Sequence, residues 1–137
     1  NENEENEGEY LDFFATDCIE IMPVNIDEYY KGIFEFIVAR TPKQVTSAKD
    51  YALEIKAKRD GSFEEVSLNN VWPKISSELA NLKGYKIVYD FNTVIYDTYY
   101  FEYKNNVYEI TICYDCNSTE WREKLYDVMY GLKFVEK

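Results

Sequence analysis

The sequence contains no histidine, and this absence removes most of the common catalytic and metal-binding arrangements. Histidine is the most frequent general base at neutral pH and the most frequent neutral zinc ligand. Ser-His-Asp and Cys-His catalysis are therefore excluded within the chain. Three cysteines are also too few for a four-thiolate zinc site. We expect no metal, no cofactor and no enzymatic activity.

Basic charge and long apolar runs are scarce as well. Acidic residues outnumber basic ones by 26 to 15, and the resulting net charge of −11 argues against direct binding to nucleic acid or to an anionic membrane. No apolar run approaches the ~20 residues of a membrane-spanning helix. We expect a monomer whose partner is an unknown protein or a small ligand. Membrane contact is expected only through a lipid anchor upstream of Asn1.

The first nine residues are a polar tract of Asn and Glu, and the chain does not begin with methionine. Residues 1–9 are predicted to be a disordered acidic linker, because they cannot bury enough apolar surface to offset the entropy of ordering. Such a tract commonly follows a cleaved targeting segment in secreted or lipid-anchored proteins. We therefore expect an extracytoplasmic protein of the cell envelope, with an ordinary frayed terminus as the alternative. Residues 10–137 are predicted to form a single domain.

Aromatic residues are abundant, and fourteen of them are tyrosines. An apolar content of 46% is ample for the core of one domain of 137 residues. Tyrosine favours strands and tolerates partial burial. The composition therefore predicts a sheet whose strands have one edge or face near water.

Strands are predicted in the first half of the chain at residues 10–22, 33–38 and 51–58. Apolar and charged residues alternate in the third, which is typical of a strand with one solvated face. Residues 62–69 are compatible with two structures. Ser62 and Glu65 form a capping box, so we prefer a helix there, and a strand after a turn at residues 60–61 is the alternative.

A longer helix is predicted next, over residues 68–82. Apolar residues recur there at helical spacing, and Gly84 is expected to end the helix. Pro73 is expected to kink the helix or to mark a fresh start capped by Asn69 or Asn70. The stripe consists of Leu68, Trp72, Ile75, Leu79 and Leu82.

Three further strands are predicted at 85–91, 94–104 and 107–114, joined by two-residue turns at 92–93 and 105–106. The first turn places the apolar row of 85–91 on the face opposite to that of the next strand, so both faces of the sheet need cover. The second turn sets Glu102 opposite Glu109.

A helix is predicted after these strands, capped by Asn117 and Glu120 and ended by Gly131, before a short edge strand at 132–135. Its apolar stripe is Trp121, Leu125, Val128 and Met129. The expected fold is therefore α+β, with a mainly antiparallel twisted sheet of six to seven strands and helices packed on both faces.

This order of elements resembles the PsbP-like α/β/α sandwich superfamily, which includes secreted proteins and lipoproteins. The segments that carry the resemblance are "CIEIMPV", "ALEIKAKRDGSFEEVSL" and the tail "YYFEYKNNVYEITICYDCNSTEWREKLYDVMYGLKF". The resemblance implies a scaffold of this kind and partner binding. It transfers no site residues.

Cysteines form the sharpest chemical motif. Cys113 and Cys116 make a CxxC pair at the end of a strand, next to a predicted helix N-terminus that would stabilise a thiolate. They are a candidate disulfide or redox pair. Cys18 could instead bond to Cys113 if their strands are neighbours, and simple thiols are the third possibility.

Tyrosines of the 94–104 strand form a second candidate site. Tyr96, Tyr99, Tyr100 and Tyr103 are a candidate aromatic binding surface, and a sheet packed under helices is the alternative.

Composition and motifs together predict a non-enzymatic extracytoplasmic domain for binding or assembly, and we expect it to be a lipoprotein. One alternative is an acidic intracellular inhibitor such as a toxin-immunity protein, which would block a basic active site. The other is a thiol-redox protein that uses the CxxC pair.

Overall fold

The computed structural model describes residues 15–21, 32–39, 47–104 and 106–131, with side chains left out at 15–21 and 33–39. The described strands are β1 (Ala15–Ile21), β2 (Gly32–Ala39), β3 (Ser62–Ser67), β4 (Lys83–Phe91), β5 (Val94–Tyr103) and β6 (Asn106–Asp115). The described helices are α1 (Ala48–Arg59), α2 (Leu68–Val71), α3 (Ser77–Ala80) and α4 (Thr119–Asp127), and α4 continues as a 3-10 helix, Val128–Gly131.

All paired strands in the described residues are antiparallel, in the order β1-β2-β6-β5-β4-β3. Four of them, β3 to β6, are described with their side chains, and with the four helices they form the unit that contains the core. One face of this unit contacts α2, α3 and α4, and we call it the α4 face. The other contacts α1, and we call it the α1 face.

The predicted fold, a sheet of six to seven strands with helices on both faces, is wrong, because two of its elements were assigned the wrong secondary structure. Residues 51–58, predicted as a strand, lie in α1, and residues 62–67, predicted to begin a helix, form β3. The predicted linker 1–9 and last strand 132–135 lie outside the described residues. The coarser expectation, helices combined with an antiparallel sheet, is consistent with the structure.

Helix α1 forms because its caps and its small residues outweigh the alternating pattern. The Ser47 hydroxyl accepts a hydrogen bond from the Asp50 N–H at 3.0 Å, and Asp60 ends the helix with a positive φ of 53°. Ala48 and Ala52 are fully buried one turn apart. Leu53, an apolar residue of the alternating pattern, is instead 40% exposed.

The predicted long helix is two short helices, α2 and α3, with Pro73 between them. Its apolar stripe nevertheless faces the core, because Leu68 and Trp72 are fully buried and Leu79 is nearly so. Gly84 does not end a helix but lies in β4, where an added Cβ would come within 2.9 Å of Leu68 Cδ2. The glycine therefore permits α2 to approach the sheet closely.

The β4–β5 turn agrees with the prediction, and the β5–β6 turn differs from it by one residue. Asn92 has a positive φ of 57°, and β4 places its apolar row on the α1 face, as expected. Lys104 rather than Asn106 takes the left-handed conformation in the second turn. Glu109 is therefore opposite Tyr100 and not opposite Glu102, which removes the predicted repulsion.

Helix α4 lies where predicted, with a different start. Its N-cap is Ser118, and the N–H of Asn117 instead donates to the carboxylate of Asp115 at 2.8 Å. Leu125 and Met129 are buried against the sheet, which confirms the apolar stripe. None of the helices in the described ranges has the length and apolar character that crossing a membrane requires.

Candidate functional site: an aromatic cleft on the α4 face

A cleft of about 670 Å³ opens on the α4 face, between β3 and the C-terminal half of α4. Trp72 and Tyr99 line it from the α2 side and from β5, and Tyr126 and Tyr130 line it from α4 and the 3-10 helix that follows. Its volume lies within the range of ordinary small-ligand sites. Trp72 and Tyr99 are almost completely buried, so Tyr126 and Tyr130 supply the accessible aromatic surface of this concave site.

A chain of hydrogen bonds crosses the inner end of the cleft and is anchored on Asp97 of β5. The carboxylate Oδ2 of Asp97 accepts from the Tyr126 hydroxyl at 2.7 Å and from the Arg122 Nε at 3.3 Å. The hydroxyls of Tyr126 and Tyr99 are 2.5 Å apart. Since the Tyr126 proton goes to Asp97, the Tyr99 hydroxyl donates to Tyr126. Asp97 is 3% exposed, so this network replaces the water that the carboxylate loses on folding.

The two phenols stay protonated. Burial raises the pKa of both Tyr99 and Tyr126 well above the ordinary value of 10. For Tyr126, the nearby Tyr99 and the negative charge of Asp97 raise the pKa further. Both hydroxyls therefore act as fixed donors, and the network holds its partners in place rather than exchanging protons at neutral pH.

Trp72 connects α2 to α4 beneath the same wall. Its indole Nε1 donates to the main-chain carbonyl of Tyr126 at 2.9 Å, and its ring contacts the Tyr99 ring edge-on with centroids 4.8 Å apart. The indole is fully buried, so its N–H needs this partner. The aromatic wall is thereby fixed at both of its ends.

The basic side chains of the cleft contact aromatic rings or Asp97, whereas the acidic side chains at its rim have no ion pair to a described residue. Arg122 lies over the Tyr126 ring at 4.4 Å in addition to its bond to Asp97, and Lys86 lies over the Tyr99 ring at 5.5 Å. The rim carboxylates Glu64, Glu123 and Asp127 are exposed, and no ion pair with another described residue joins them. Lys86 lies opposite Glu64 in the β3–β4 register, so the three rim carboxylates outnumber the one lining cation without a carboxylate partner, and the cleft presents net negative charge beside aromatic rings.

Cys18 and Cys113 are too far apart to form a disulfide bond. Strand β2 lies between β1 and β6, and the register places Cys18 opposite Ile37 and Cys113 opposite Ile33. Two strand spacings and four residues along the strand separate them by roughly 16 Å, beyond the reach of a disulfide. Cys113 is half-buried in β6, and Cys116 is exposed just after it. A role of this CxxC pair stays a prediction.

The four candidate tyrosines do not form one surface. Tyr99 and Tyr103 lie on the α4 face and Tyr96 and Tyr100 on the α1 face, because successive strand residues alternate. Tyr99 and Tyr100 are almost completely buried, and Tyr103 is half-buried with its hydroxyl donating to Glu78 at 2.6 Å. Only Tyr99 lines the cleft.

Sequence reasoning missed Asp97 and Arg122. Asp97 is the one charged residue in the first eight positions of β5, an unusual place that indicates a buried partner. Arg122 and Tyr126 are four residues apart, so they share one side of α4. No spacing in the sequence connects β5 with α4, however, so the pairing could be seen only in the fold.

A smaller hollow of about 410 Å³ lies at the β4–β5 turn on the α1 face. The rings of Tyr89 and Tyr96 stack there at 4.8 Å, beside Arg59 and the 68% exposed Phe91.

In the described part of the chain, no cluster of three or more Cys, Asp or Glu side chains is suited to a metal ion. Comparison with known proteins gives no match to a family model, to a curated protein or to a solved structure.

Proposed function

We propose that this protein is a non-enzymatic binding domain and that the cleft on the α4 face holds a ligand that carries positive charge on an apolar stem. One observation carries the proposal: the cleft combines the accessible rings of Tyr126 and Tyr130 with three rim carboxylates that have no ion-pair partner among the described residues. A Lys or Arg side chain suits such a site, since its stem packs on rings while its charge meets carboxylates.

The hydrogen-bond network of Asp97, Tyr126 and Arg122 beside the cleft supports binding rather than catalysis. Asp97 is fully committed to Tyr126 and Arg122, and both phenols of the network are held protonated. A general acid or base needs a proton that it can transfer near the working pH. A rigid, fully bonded wall instead lowers the entropy that the protein loses when a ligand binds.

The charge of the ligand can be tested with trilysine. We expect calorimetry at low ionic strength to show binding, and replacement of Glu123→Gln together with Asp127→Asn to weaken it about tenfold, because two rim charges are lost. The matched control, Glu120→Gln with Glu54→Gln, removes two exposed charges outside the cleft. Equal weakening by both pairs would show a general charge effect and contradict the proposal.

The location of the protein is proposed on the sequence alone. We propose an envelope protein outside the cytoplasm, because a tract of Asn and Glu such as residues 1–9 is common in secreted and lipid-anchored proteins. Cell fractionation with an intact-mass measurement tests it. A lipid-modified, membrane-associated product is expected, and an unmodified cytosolic product with three reduced thiols would instead favour the acidic inhibitor.

A further inference from the structure

Strand β3 ends the sheet within the described residues and opens directly into the cleft. It pairs with β4 on one side and with no described strand on the other. Four consecutive residues, Glu64 to Ser67, line the cleft. Successive strand residues point to opposite faces, so a hollow that touches four in a row reaches the edge of the strand as well as its face. The N–H and C=O groups of β3 that no described strand pairs are therefore accessible from the cleft.

A second hollow of about 310 Å³ lies along the same edge. It is lined by three of the same residues, Glu65 to Ser67, together with Asn81 and Lys83. An added strand would thus find open space for its side chains near both of its faces. Such alternate pockets along a strand edge are the arrangement that binds extended peptides by strand addition.

The charges on the two sides of this edge differ. Toward the cleft lie Glu64 and the α4 carboxylates Glu123 and Asp127, with no ion pair to a described residue. Toward the second hollow, Glu65 is already paired with Lys83 at 2.7 Å. Basic side chains are therefore favoured on the cleft side of an added strand, and neutral ones on the other side.

We propose that an extended segment of a partner protein, with Lys or Arg at alternate positions, adds as a strand to the free edge of β3 and places its basic side chains in the cleft. This inference rests on the proposed function, because it assigns the ligand class of the same cleft. Main-chain hydrogen bonds to β3 supply affinity, and the alternating charge supplies specificity.

The probe is an acetylated, amidated octapeptide of alternating Thr and Lys. Alternate N–H groups of an extended peptide point to the same edge, so N-methylation of all Thr residues blocks one edge and N-methylation of all Lys residues blocks the other. With the Lys side chains in the cleft and the peptide antiparallel to β3, as the paired strands of the sheet are, only one edge of the peptide faces β3. We expect one methylated peptide to lose about tenfold in affinity and the other to stay within about threefold.

Hydrogen exchange provides a second readout on the full chain. Bound peptide should slow exchange at alternate amides of residues 62–67, while the amides of β1, at the other edge of the sheet, keep their rates. A Thr-Glu octapeptide is the charge control and should not bind.

The outcomes separate this inference from the proposed function. If both methylated peptides bind like the parent, or both lose affinity equally, strand addition is wrong. If trilysine binds through Glu123 and Asp127 but the octapeptide gives no protection at 62–67, the cleft still binds cations and only the inference is overturned. Failure of trilysine itself overturns the proposed function first.

Discussion

Each face of the sheet holds a carboxylate, Asp97 buried and Glu109 half-buried, and the two have different partners. On the α4 face, Asp97 has a guanidinium and a phenol as partners. On the α1 face, the carboxylate of Glu109 accepts a bond from the Tyr100 hydroxyl at 2.5 Å, and no described cation forms an ion pair with it. Burial raises the pKa of Glu109, although the Tyr100 bond partly opposes that effect. Without a counter-ion, the environment of Glu109 favours its neutral acid.

The two faces also differ in how much of each is accessible to a ligand. The Asp97 network lies at the inner end of a cleft, where Arg122 remains partly exposed. Tyr51 of α1 covers Tyr100, with ring centroids 4.9 Å apart, and the N–H of Ala48 donates to Glu102 at 3.2 Å. Helix α1 therefore covers its face around Tyr100, and the larger of the two hollows lies on the α4 face, where there is room for a ligand.

The largest expected effect compares the two carboxylates at pH 7. Asp97→Asn should lower the free energy of unfolding by about 2 kcal/mol, because it weakens bonds from a guanidinium and a phenol to a charged acceptor. Glu109→Gln should change it by less than about 1 kcal/mol, because the amide keeps the Tyr100 bond and ends the cost of burying a charge. Urea unfolding of the two variants measures both values. Equal losses would remove the distinction between the faces.

A smaller effect is expected in the pH dependence of stability. The pKa of Glu109 is raised above 4.5 in the folded protein, so the folded state holds this proton more tightly than the unfolded chain. The resulting stability is complete below the unfolded pKa and is lost as the pH rises through the folded pKa. Wild type should therefore gain stability relative to Glu109→Gln as the pH falls from 8 to 5. A constant difference across this range would mean that the pKa is not raised.

The smallest effect concerns the shape of the cation in the cleft. Arg122→Lys keeps the charge near Asp97 but loses the flat guanidinium that lies 4.4 Å from the Tyr126 ring centroid. Because the Arg122 side chain is 39% exposed, the expected loss is only about 0.5 kcal/mol. Thermal unfolding measures it, with Lys56→Arg on α1 as the control. A loss as large as that of Asp97→Asn would mean that the stacking, and not the charge, holds the network.

Local patterns predicted the elements in which a single signal dominates. The β4–β5 turn follows from Asn92, which tolerates a positive φ, and the stripe of α4 follows from its helical spacing. The prediction of secondary structure was wrong where two signals compete. In α1, alternating residues such as Leu53 concealed the buried pair Ala48 and Ala52, and small residues carry little weight in a hydrophobic pattern.

The sequence by itself determined that histidine-based chemistry is absent, that the chain is acidic, and that β5 alternates between two apolar faces. Only the tertiary structure decided which residues meet. Asp97 and Arg122 are 25 residues apart, and the packing of α4 on the sheet brings them together. Periodicity records which side of an element is apolar, whereas a buried charge is satisfied by a partner on another element, which no local pattern specifies.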